Sequence, residues 1–263
     1  MTAANMFRLD GRIAFISGAA GHLGRAMAAV LGQAGAHLIL NGRNEARLED
    51  FARALADQNI SAECAAFDVT DFAIVRAFFA GRARLDILVN NAVSMTPAPI
   101  AALTPGHFAK TYESAVTAAF ENARAALPAL RAAVAAHGDA SIVNIASMYG
   151  IAAPDSRIYS NPNQASPFHY GPAKAALLQL TRHMAAEWGN AGIRVNALVP
   201  GPFPAPQVGA NDPAFADRLA ARTMLGRLGN AAEIGGPLLF LASPAASYVT
   251  GAALSVDGGW TAW

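Results

Sequence analysis

The sequence predicts one α/β domain over residues 1–263, built on a doubly wound parallel sheet of about seven strands with helices on both faces. Two observations predict this fold class. Short apolar runs alternate with segments of helical periodicity, and 54% of the 263 residues are hydrophobic against 14% charged. Because crossovers between parallel strands are right-handed, such alternation covers both faces and leaves ligands at the carboxyl ends of the strands.

The predicted strands are short apolar runs. They cover residues 12–17, 36–40, 63–67, 85–89, 141–146, 193–198 and 253–256. The first run ends in glycines, which is typical of a buried parallel strand that turns into a helix.

The predicted helices have apolar residues at intervals of three and four. They cover residues 23–34, 45–58, 71–80, 107–137, 170–190 and 232–241. Gly35 ends the first helix, and Asp71 caps the third. Two connections, 151–169 and 200–213, are long and lack a helical pattern, and long loops at a ligand edge are commonly functional.

The composition argues against several classes of protein. The 19 basic and 18 acidic residues give a net charge of +1, with no sign of a nucleic-acid or charged membrane surface. The N-terminus lacks a leader pattern, no uninterrupted apolar span of about 18 residues occurs, and Cys64 is the single cysteine. We therefore expect a cytoplasmic protein that acts on a small molecule. Six scattered histidines without an HExxH motif predict no metal site, and no G-x-S-x-G elbow suggests a hydrolase.

A glycine-rich turn, residues 17–24, follows the first predicted strand. Glycines allow the backbone to approach a pyrophosphate, and the N–H groups of the next helix face its negative charge. The alternative is an ordinary strand-to-helix turn, since glycine-rich turns alone are weak signals. The order of strand, glycines, helix and strand favours a dinucleotide site. Its candidate residues are Gly18, Gly21, His22, Leu23 and Gly24.

The end of the second strand, residues 41–44, indicates which dinucleotide binds. A carboxylate there would accept hydrogen bonds from the adenosine ribose of NAD, and none is present. Arg43 is suited to pair with the 2′-phosphate of NADP. NADP is therefore favoured over NAD. The alternative is that Arg43 is a solvated loop residue.

Tyr170 and Lys174 lie four residues apart on a predicted helix and so share a face. A phenol with a pKa near 10 is a poor base at neutral pH, and a nearby ammonium and an oxidised nicotinamide would favour the phenolate. Lowering that pKa to neutrality takes roughly 4 kcal/mol of differential stabilisation. The alternative is an amphipathic helix whose lysine extends to solvent.

Together these residues resemble the short-chain dehydrogenase/reductase family over nearly the whole chain. The matching motifs are residues 17–24, Asp68 and Val69, residues 90–93, Ser147, Tyr170, Lys174, residues 196–201 and residues 256–259. The resemblance implies hydride transfer between a nicotinamide dinucleotide and an alcohol/carbonyl pair. It also implies a homo-oligomer, a tetramer formed through the helices at 107–137 and 170–190.

The resemblance also assigns roles. Tyr170 would exchange the proton of the substrate oxygen, Ser147 would hold that oxygen, and Lys174 would bind the nicotinamide ribose and lower the pKa of the tyrosine. The implied cofactor residues are Asp68, Val69, Asn91, Ala92, Tyr170, Lys174, Pro200, Gly201 and Phe203. Asp68 would bind the adenine amine, and Asn91 would shape the floor of the site.

Three features depart from the family pattern. His22 replaces the middle glycine of the nucleotide turn, and Ala115 stands where the family carries an asparagine that holds a water of the proton relay. The stretch from Ser147 to Tyr170 is longer than usual, with an insertion at 152–169. This insertion is expected to loop over the substrate pocket.

The insertion is rich in hydrogen-bonding side chains, which favour a sugar, sugar acid or polyol as substrate. They are Asp155, Ser156, Arg157, Tyr159, Asn161, Asn163, Gln164 and His169. Arg157 and Tyr159 are candidate substrate contacts, with Arg157 suited to an anion, although a surface arginine is the alternative. Met148 and Tyr149 would line an apolar part of the pocket. A reductase of a hydrophobic ketone or 3-oxoacyl compound, and a catalytically lapsed dinucleotide-binding protein, remain alternatives.

Overall fold

The computed structural model describes residues 5–160 and 165–263. In this part of the chain the strands are β1 (Ile13–Ile16), β2 (His37–Gly42), β3 (Ala62–Ala66), β4 (Ile87–Asn90), β5 (Ala140–Ile145), β6 (Ile193–Pro200) and β7 (Ala253–Val256). They form one parallel sheet in the order β3-β2-β1-β4-β5-β6-β7. Each strand coincides within about two residues with a predicted apolar run, so the predicted fold class is confirmed.

Helices cover both faces of the sheet. They are α1 (His22–Gln33), α2 (Glu45–Ala56), α3 (Phe72–Ala80), α4 (Pro105–Tyr112), α5 (Ala118–His137), α6 (Tyr170–Trp188), α7 (Pro206–Asn211), α8 (Pro213–Ala221) and α9 (Gly235–Ala242). Within the described ranges, none of them is both long and apolar enough to cross a bilayer.

Alternate side chains of β1 enter two separate cores. Ile16 packs in the cluster that contains Met27 of α1 and Leu238 of α9, whereas Phe15 packs in the cluster that contains Leu130 of α5. Successive residues of a strand point to opposite faces, so the two clusters mark two helical layers. Full burial of a large apolar side chain stabilises the fold by about 1.5–3 kcal/mol.

The order in which strands are added to the sheet reverses between β1 and β4. Ile16 pairs with Leu40 of β2 on one side and with Val89 of β4 on the other. The connections that follow β1 and β4 therefore leave in opposite directions, and a crevice opens between them at the carboxyl ends of the strands. The topology thus fixes where a ligand site is available.

The segment predicted as one helix at 107–137 is interrupted. Residues Glu113–Thr117 form a π turn between α4 and α5, and Ala115 lies buried within it. A π turn carries an i→i+5 hydrogen bond and is frequent at functional sites. Periodicity could not reveal it, because the apolar spacing continues across the interruption.

The prediction of a structureless connection at 200–213 was wrong in its second half. Helix α7 begins at Pro206, and α8 begins at Pro213 with Asp212 as its cap. The Asp212 carboxylate accepts a hydrogen bond from the Phe215 N–H at 2.9 Å. Proline in the first helical turn loses no helical hydrogen bond, so these prolines start helices here instead of preventing them. The described residues of the connection at 151–169 form no α-helix. They include a short 3-10 turn at Ser156–Ile158.

Candidate active site

A cleft of about 430 Å³ lies at the crevice between β1 and β4. Its lining residues come from the turn after β1, the ends of β2 and β3, the segment after β4 and the end of α4. They are Gly18, Ala20, Gly21, Asn41, Gly42, Arg43, Asn44, Arg47, Leu48, Phe67, Asp68, Val69, Thr70, Asn91, Ala92, Val93, Ser94, Lys110, Glu113 and Ser114. Seven predicted cofactor residues are among them, namely Gly18, Gly21, Arg43, Asp68, Val69, Asn91 and Ala92.

The turn after β1 requires glycine at two positions. Gly18 has a φ of +65°, and a Cβ added to it would lie 2.9 Å from the Asn91 amide nitrogen. A Cβ added to Gly24 would lie 2.2 Å from the Gly18 carbonyl oxygen, so α1 packs directly on the turn. The close packing keeps the backbone exposed where a phosphate would sit.

Helix α1 begins at His22 after Gly21, and Gly21 provides no side-chain cap. The N–H groups of the first turn are thus left available to an anion, and the helix dipole favours negative charge there. The His22 side chain is exposed and does not line the cleft. Leu23 is half-buried against the α1 core, and Gly24 is buried. None of these three residues lines the cleft.

Asn91 and Ser17 tie the two loops of the crevice together. The Asn91 side-chain amide donates to the carbonyls of Ser17 at 2.9 Å and Gly18 at 3.2 Å. The Ser17 hydroxyl accepts from the N–H groups of Asn91 at 2.9 Å and Ala92 at 3.0 Å. The floor of the cleft is therefore held in place by hydrogen bonds, as a preformed site requires.

Two arginines lie at the β2 end of the cleft. Arg43 is 72% exposed, and its nearest carboxylate oxygen, from Asp68, lies 3.8 Å away. Arg47, in the first turn of α2, donates to the Ala20 carbonyl at 3.2 Å. Sequence reasoning missed Arg47, whose spacing of four from Arg43 across the start of α2 was the available signal. Asn41 is buried and donates to the carbonyls of Ala65 and Phe67, so the end of β2 presents guanidinium groups and no carboxylate.

Asp68 and Val69 line the same end of the cleft, across from Arg43. The Asp68 carboxylate accepts from the N–H and the hydroxyl of Thr70 at 2.9 and 2.8 Å, and Val69 is buried. The carboxylate is thereby oriented by its own turn, with its second oxygen facing Arg43.

Ser147, Tyr170 and Lys174 meet at the carboxyl end of β5. The Ser147 hydroxyl hydrogen-bonds with the Tyr170 phenol, and Ser147 also accepts from the Tyr149 N–H at 3.2 Å. The Lys174 ammonium donates to the Ile145 carbonyl at 2.6 Å and lies 5.6 Å from the centroid of the Tyr170 ring. The insertion thus does not separate the hydroxyl from the phenol.

Burial perturbs both titratable groups of this trio. Burial raises the pKa of Tyr170 above its ordinary value, and the hydrogen bond from Ser147 offsets part of that rise. Burial lowers the pKa of Lys174 to about 8. Such perturbed groups in contact with one another are typical of reactive sites. Because its pKa is raised, the phenol is neutral at neutral pH and is able to donate its proton.

Like Tyr170 and Lys174, four further predicted cofactor or substrate residues lie outside the cleft lining. Phe203 packs against Gly229 and borders a separate cavity of about 80 Å³. Pro200 ends β6, and a Cβ on Gly201 would lie 2.4 Å from the Cα of Asp257. Met148 is buried in a cluster with Trp260. Sequence order gave no signal of these neighbours.

Two tyrosines of the predicted substrate region join the insertion to the site. The Tyr149 and Tyr159 hydroxyls are 2.7 Å apart, and the Tyr149 ring meets Trp260 edge-on. Burial, followed by the hydrogen bond with Tyr159, raises the pKa of Tyr149. Asn161, Asn163 and Gln164 of the same prediction lie outside the described residues.

Arg157 is already paired within the insertion. Its guanidinium donates to both oxygens of Asp155 at 2.8 and 2.7 Å, and its side chain is 83% exposed. This geometry argues against the predicted contact with a substrate anion. His169, also predicted to face the pocket, has 0% of its side chain exposed.

The chain is similar to known proteins over nearly its whole length. The chain matches the protein family described as enoyl-(acyl carrier protein) reductase over residues 18–261. It is 36% identical to a galactitol 2-dehydrogenase (L-tagatose-forming) of Cereibacter sphaeroides, with 100% of both chains covered. It is 33% identical to a rhamnolipids biosynthesis 3-oxoacyl-[acyl-carrier-protein] reductase of Pseudomonas aeruginosa, over 97% of this chain and 98% of that protein.

A solved structure is similar over the same length. The crystal structure of a gluconate 5-dehydrogenase from Burkholderia cenocepacia, in complex with NADP and tartrate, superposes with a TM-score of 0.87 at 35% identity. The alignment covers 100% of both chains. At this identity and coverage the likeness extends to the family and not only to the fold.

Proposed function

The chain belongs to the short-chain dehydrogenase/reductase family, and from this premise we propose that it is an NADP-dependent oxidoreductase that interconverts an alcohol and a carbonyl. The observation that carries the proposal is the contact between the Ser147 hydroxyl and the Tyr170 phenol, with the Lys174 ammonium on the same helix. A sugar, sugar acid or polyol is the favoured substrate, since proteins named for such substrates are among its relatives.

The residues of the cleft fit a dinucleotide. The first turn of α1 offers uncapped N–H groups, and Gly18 leaves no Cβ between the turn and Asn91. Arg43 and Arg47 supply positive charge for a 2′-phosphate. When bound, the nicotinamide dinucleotide supplies or accepts the hydride.

The protein's own residues handle the proton. Ser147 holds the substrate oxygen by a hydrogen bond, and Tyr170 donates its proton to that oxygen during reduction or accepts it during oxidation. Lys174 stabilises the phenolate because its ammonium lies beside the Tyr170 ring. Lys174 is buried, so little water reaches its ammonium and its attraction to the phenolate is strong.

The test of the proposed function is turnover. The purified enzyme with NADP or NADPH would be offered galactitol, gluconate, their keto products and aliphatic ketones, with nicotinamide absorbance as the readout. Turnover of a polyol or sugar acid supports the proposal. Binding of NADP by calorimetry without turnover of any class would instead support a catalytically lapsed protein.

A second candidate function rests on one comparison. The 3-oxoacyl-[acyl-carrier-protein] reductase of Pseudomonas aeruginosa is 33% identical over nearly the full chain. Preferential reduction of a 3-oxoacyl thioester over keto-sugars in the same assay would establish this alternative.

The two arginines at the end of β2 are expected to set the cofactor preference. The Arg43→Ala and Arg47→Ala variants should each weaken NADP binding by about 10- to 100-fold, because each removes a charged hydrogen bond to phosphate. NAD binding, which lacks that phosphate, should change by less than about threefold. Isothermal titration calorimetry measures both affinities.

The matched control is Arg53→Ala. Arg53 lies on α2, as Arg47 does, but its guanidinium is paired with Asp50. Equal losses for NADP and NAD would contradict this assignment.

Arg157 is expected to be dispensable. Because its guanidinium is exposed and paired with Asp155, Arg157→Ala should change KM by less than about twofold for both a sugar acid and a neutral polyol. Steady-state kinetics with the two substrate types checks this. A selective rise of KM for the sugar acid by about tenfold would restore the anion-binding role.

We further propose that residues 1–263 form one domain and that the protein is a cytoplasmic homotetramer. The resemblance supports this assembly through α5 and α6, and Phe120 on α5 is an exposed aromatic residue of the kind found at interfaces. Light scattering in solution measures the assembly.

A further inference from the structure

His169 is a buried histidine at the boundary between the insertion and the helix that carries Tyr170. None of its side chain is exposed, and it directly precedes Tyr170, the first residue of α6. A buried imidazole needs partners for its ring nitrogens, so its contacts indicate what it holds together.

The ring joins two other elements. Its Nδ1 lies 2.9 Å from the Thr111 hydroxyl on α4, and its Nε2 lies 3.3 Å from the Thr96 carbonyl in the segment after β4. His107 and Phe108 of α4 pack on the ring, with centroids 6.0 and 5.8 Å away. The start of α6 is thereby attached to both neighbours through one side chain.

Thr111 extends this contact toward the cleft. Its hydroxyl donates to the Ser94 carbonyl at 3.0 Å, and the Ser94 N–H donates to the Ser114 hydroxyl at 3.0 Å. Ser94 and Ser114 both line the dinucleotide cleft. A continuous set of hydrogen bonds therefore runs from the residue before Tyr170 to the wall of the cleft.

We propose that His169 is a positioning residue that fixes Tyr170 relative to the segment at residues 94–96. The role rests on the proposed function, in which the Tyr170 phenol meets a substrate oxygen beside the cofactor. Reaction rates are sensitive to such placement, and displacement by about 1 Å costs up to about 100-fold. Full burial excludes the alternative that His169 contacts the substrate directly.

The test compares substitutions that keep or remove the two ring contacts. His169→Leu removes both contacts and should lower kcat by about 10- to 100-fold, with KM for NADP changed by less than about threefold. His169→Asn places an amide near the Nδ1 position and should recover most of kcat through Thr111. His169→Gln reaches the Nε2 position toward Thr96 and shows which contact matters more. His183→Asn, an exposed histidine on the same helix, is the control with unchanged kcat.

Thr111→Val tests the same connection from the other side. It should lower kcat in the same direction, and the double variant with His169→Leu should lose less than the product of the two single losses, because both remove one interaction. Hydrogen exchange should become faster at residues 94–96 and in the first turn of α6 in each variant.

The exchange readout does not depend on turnover. If the wild type turns over no substrate, the proposed function fails, and unchanged exchange in the variants separately overturns the role of His169. If the wild type is active, wild-type kcat in a folded His169→Leu variant overturns the positioning role. Multiplicative losses in the double variant would also overturn it.

Discussion

Tyr170→Phe is expected to lower kcat by about 10²- to 10⁴-fold, the usual contribution of a positioned acid–base group. The substitution removes the phenolic oxygen and keeps the ring, so the packing of α6 is retained. The lost hydroxyl contacts Ser147, and removal of one such buried hydrogen bond costs about 1 kcal/mol of stability. Stopped-flow or steady-state measurement at the nicotinamide absorbance gives the rate, and calorimetry gives the affinity for NADP.

The control for Tyr170→Phe is Tyr248→Phe. Tyr248 is fully exposed, so the Tyr248→Phe enzyme, which loses the same phenolic oxygen, should retain wild-type kcat. NADP affinity should stay within about threefold of wild type in both variants. A Tyr170→Phe enzyme that keeps more than about a tenth of wild-type kcat would remove Tyr170 from the acid–base role.

Lys174→Met is expected to lower kcat by about 10²- to 10⁴-fold, because the ammonium that stabilises the phenolate is lost. Methionine has a similar length and is apolar, so it fits the buried position. The pH profile of the remaining activity should shift toward higher pH, since burial raises the pKa of Tyr170 and the opposing charge is gone. Steady-state rates over a pH series measure this shift.

The same substitution is expected to change how stability depends on pH. Burial lowers the pKa of Lys174 from 10.5 to about 8, so between these values the unfolded chain holds a proton that the folded chain has released. Raising the pH across this window therefore stabilises the wild type, and lowering it imposes the cost of a buried charge. From a pH of about 7.5 to about 9.5, wild type should gain about 2 kcal/mol of unfolding free energy relative to Lys174→Met.

Denaturant unfolding of the cofactor-free proteins at the two pH values measures this difference. Lys110→Met is the control, because it removes an exposed ammonium instead of a buried one. A constant difference in stability between wild type and Lys174→Met across the window would show that the ammonium is hydrated in the folded protein.

Local features of the sequence were sufficient for the fold and for the centre of the site. The central strands β1, β4, β5 and β6 are short, largely apolar runs, because helices cover both faces of the sheet and nearly all of their residues are buried. Gly18 is favoured by its positive φ, and Gly24 by its close contact with the Gly18 carbonyl in the same turn. Tyr170 and Lys174 were recognisable as a pair because four positions along a helix place two side chains on one face.

Other features could not be predicted, because they depend on which distant elements pack together. Arg157 and Asp155 are only two positions apart, but the sequence does not show whether the arginine is free or paired with the aspartate, because this depends on the side-chain geometry. The π turn at Glu113–Thr117 leaves the apolar period intact, and residues 200–213 lack a helical pattern although Pro206 and Pro213 start helices. In each case several local conformations suit the same residues, and packing selects among them.

Backbone periodicity and turn chemistry depend on residues that are close together in the sequence. The sequence by itself was therefore enough to predict the sheet, the glycine turn and the Tyr170–Lys174 pair. The burial of His169 between α4 and α6, and the approach of Arg47 to Ala20, join residues that lie 58 and 27 positions apart. Such contacts form only when whole helices and loops settle on the sheet. They exist because burial and hydrogen bonding are optimised over the assembled core, which no local pattern encodes.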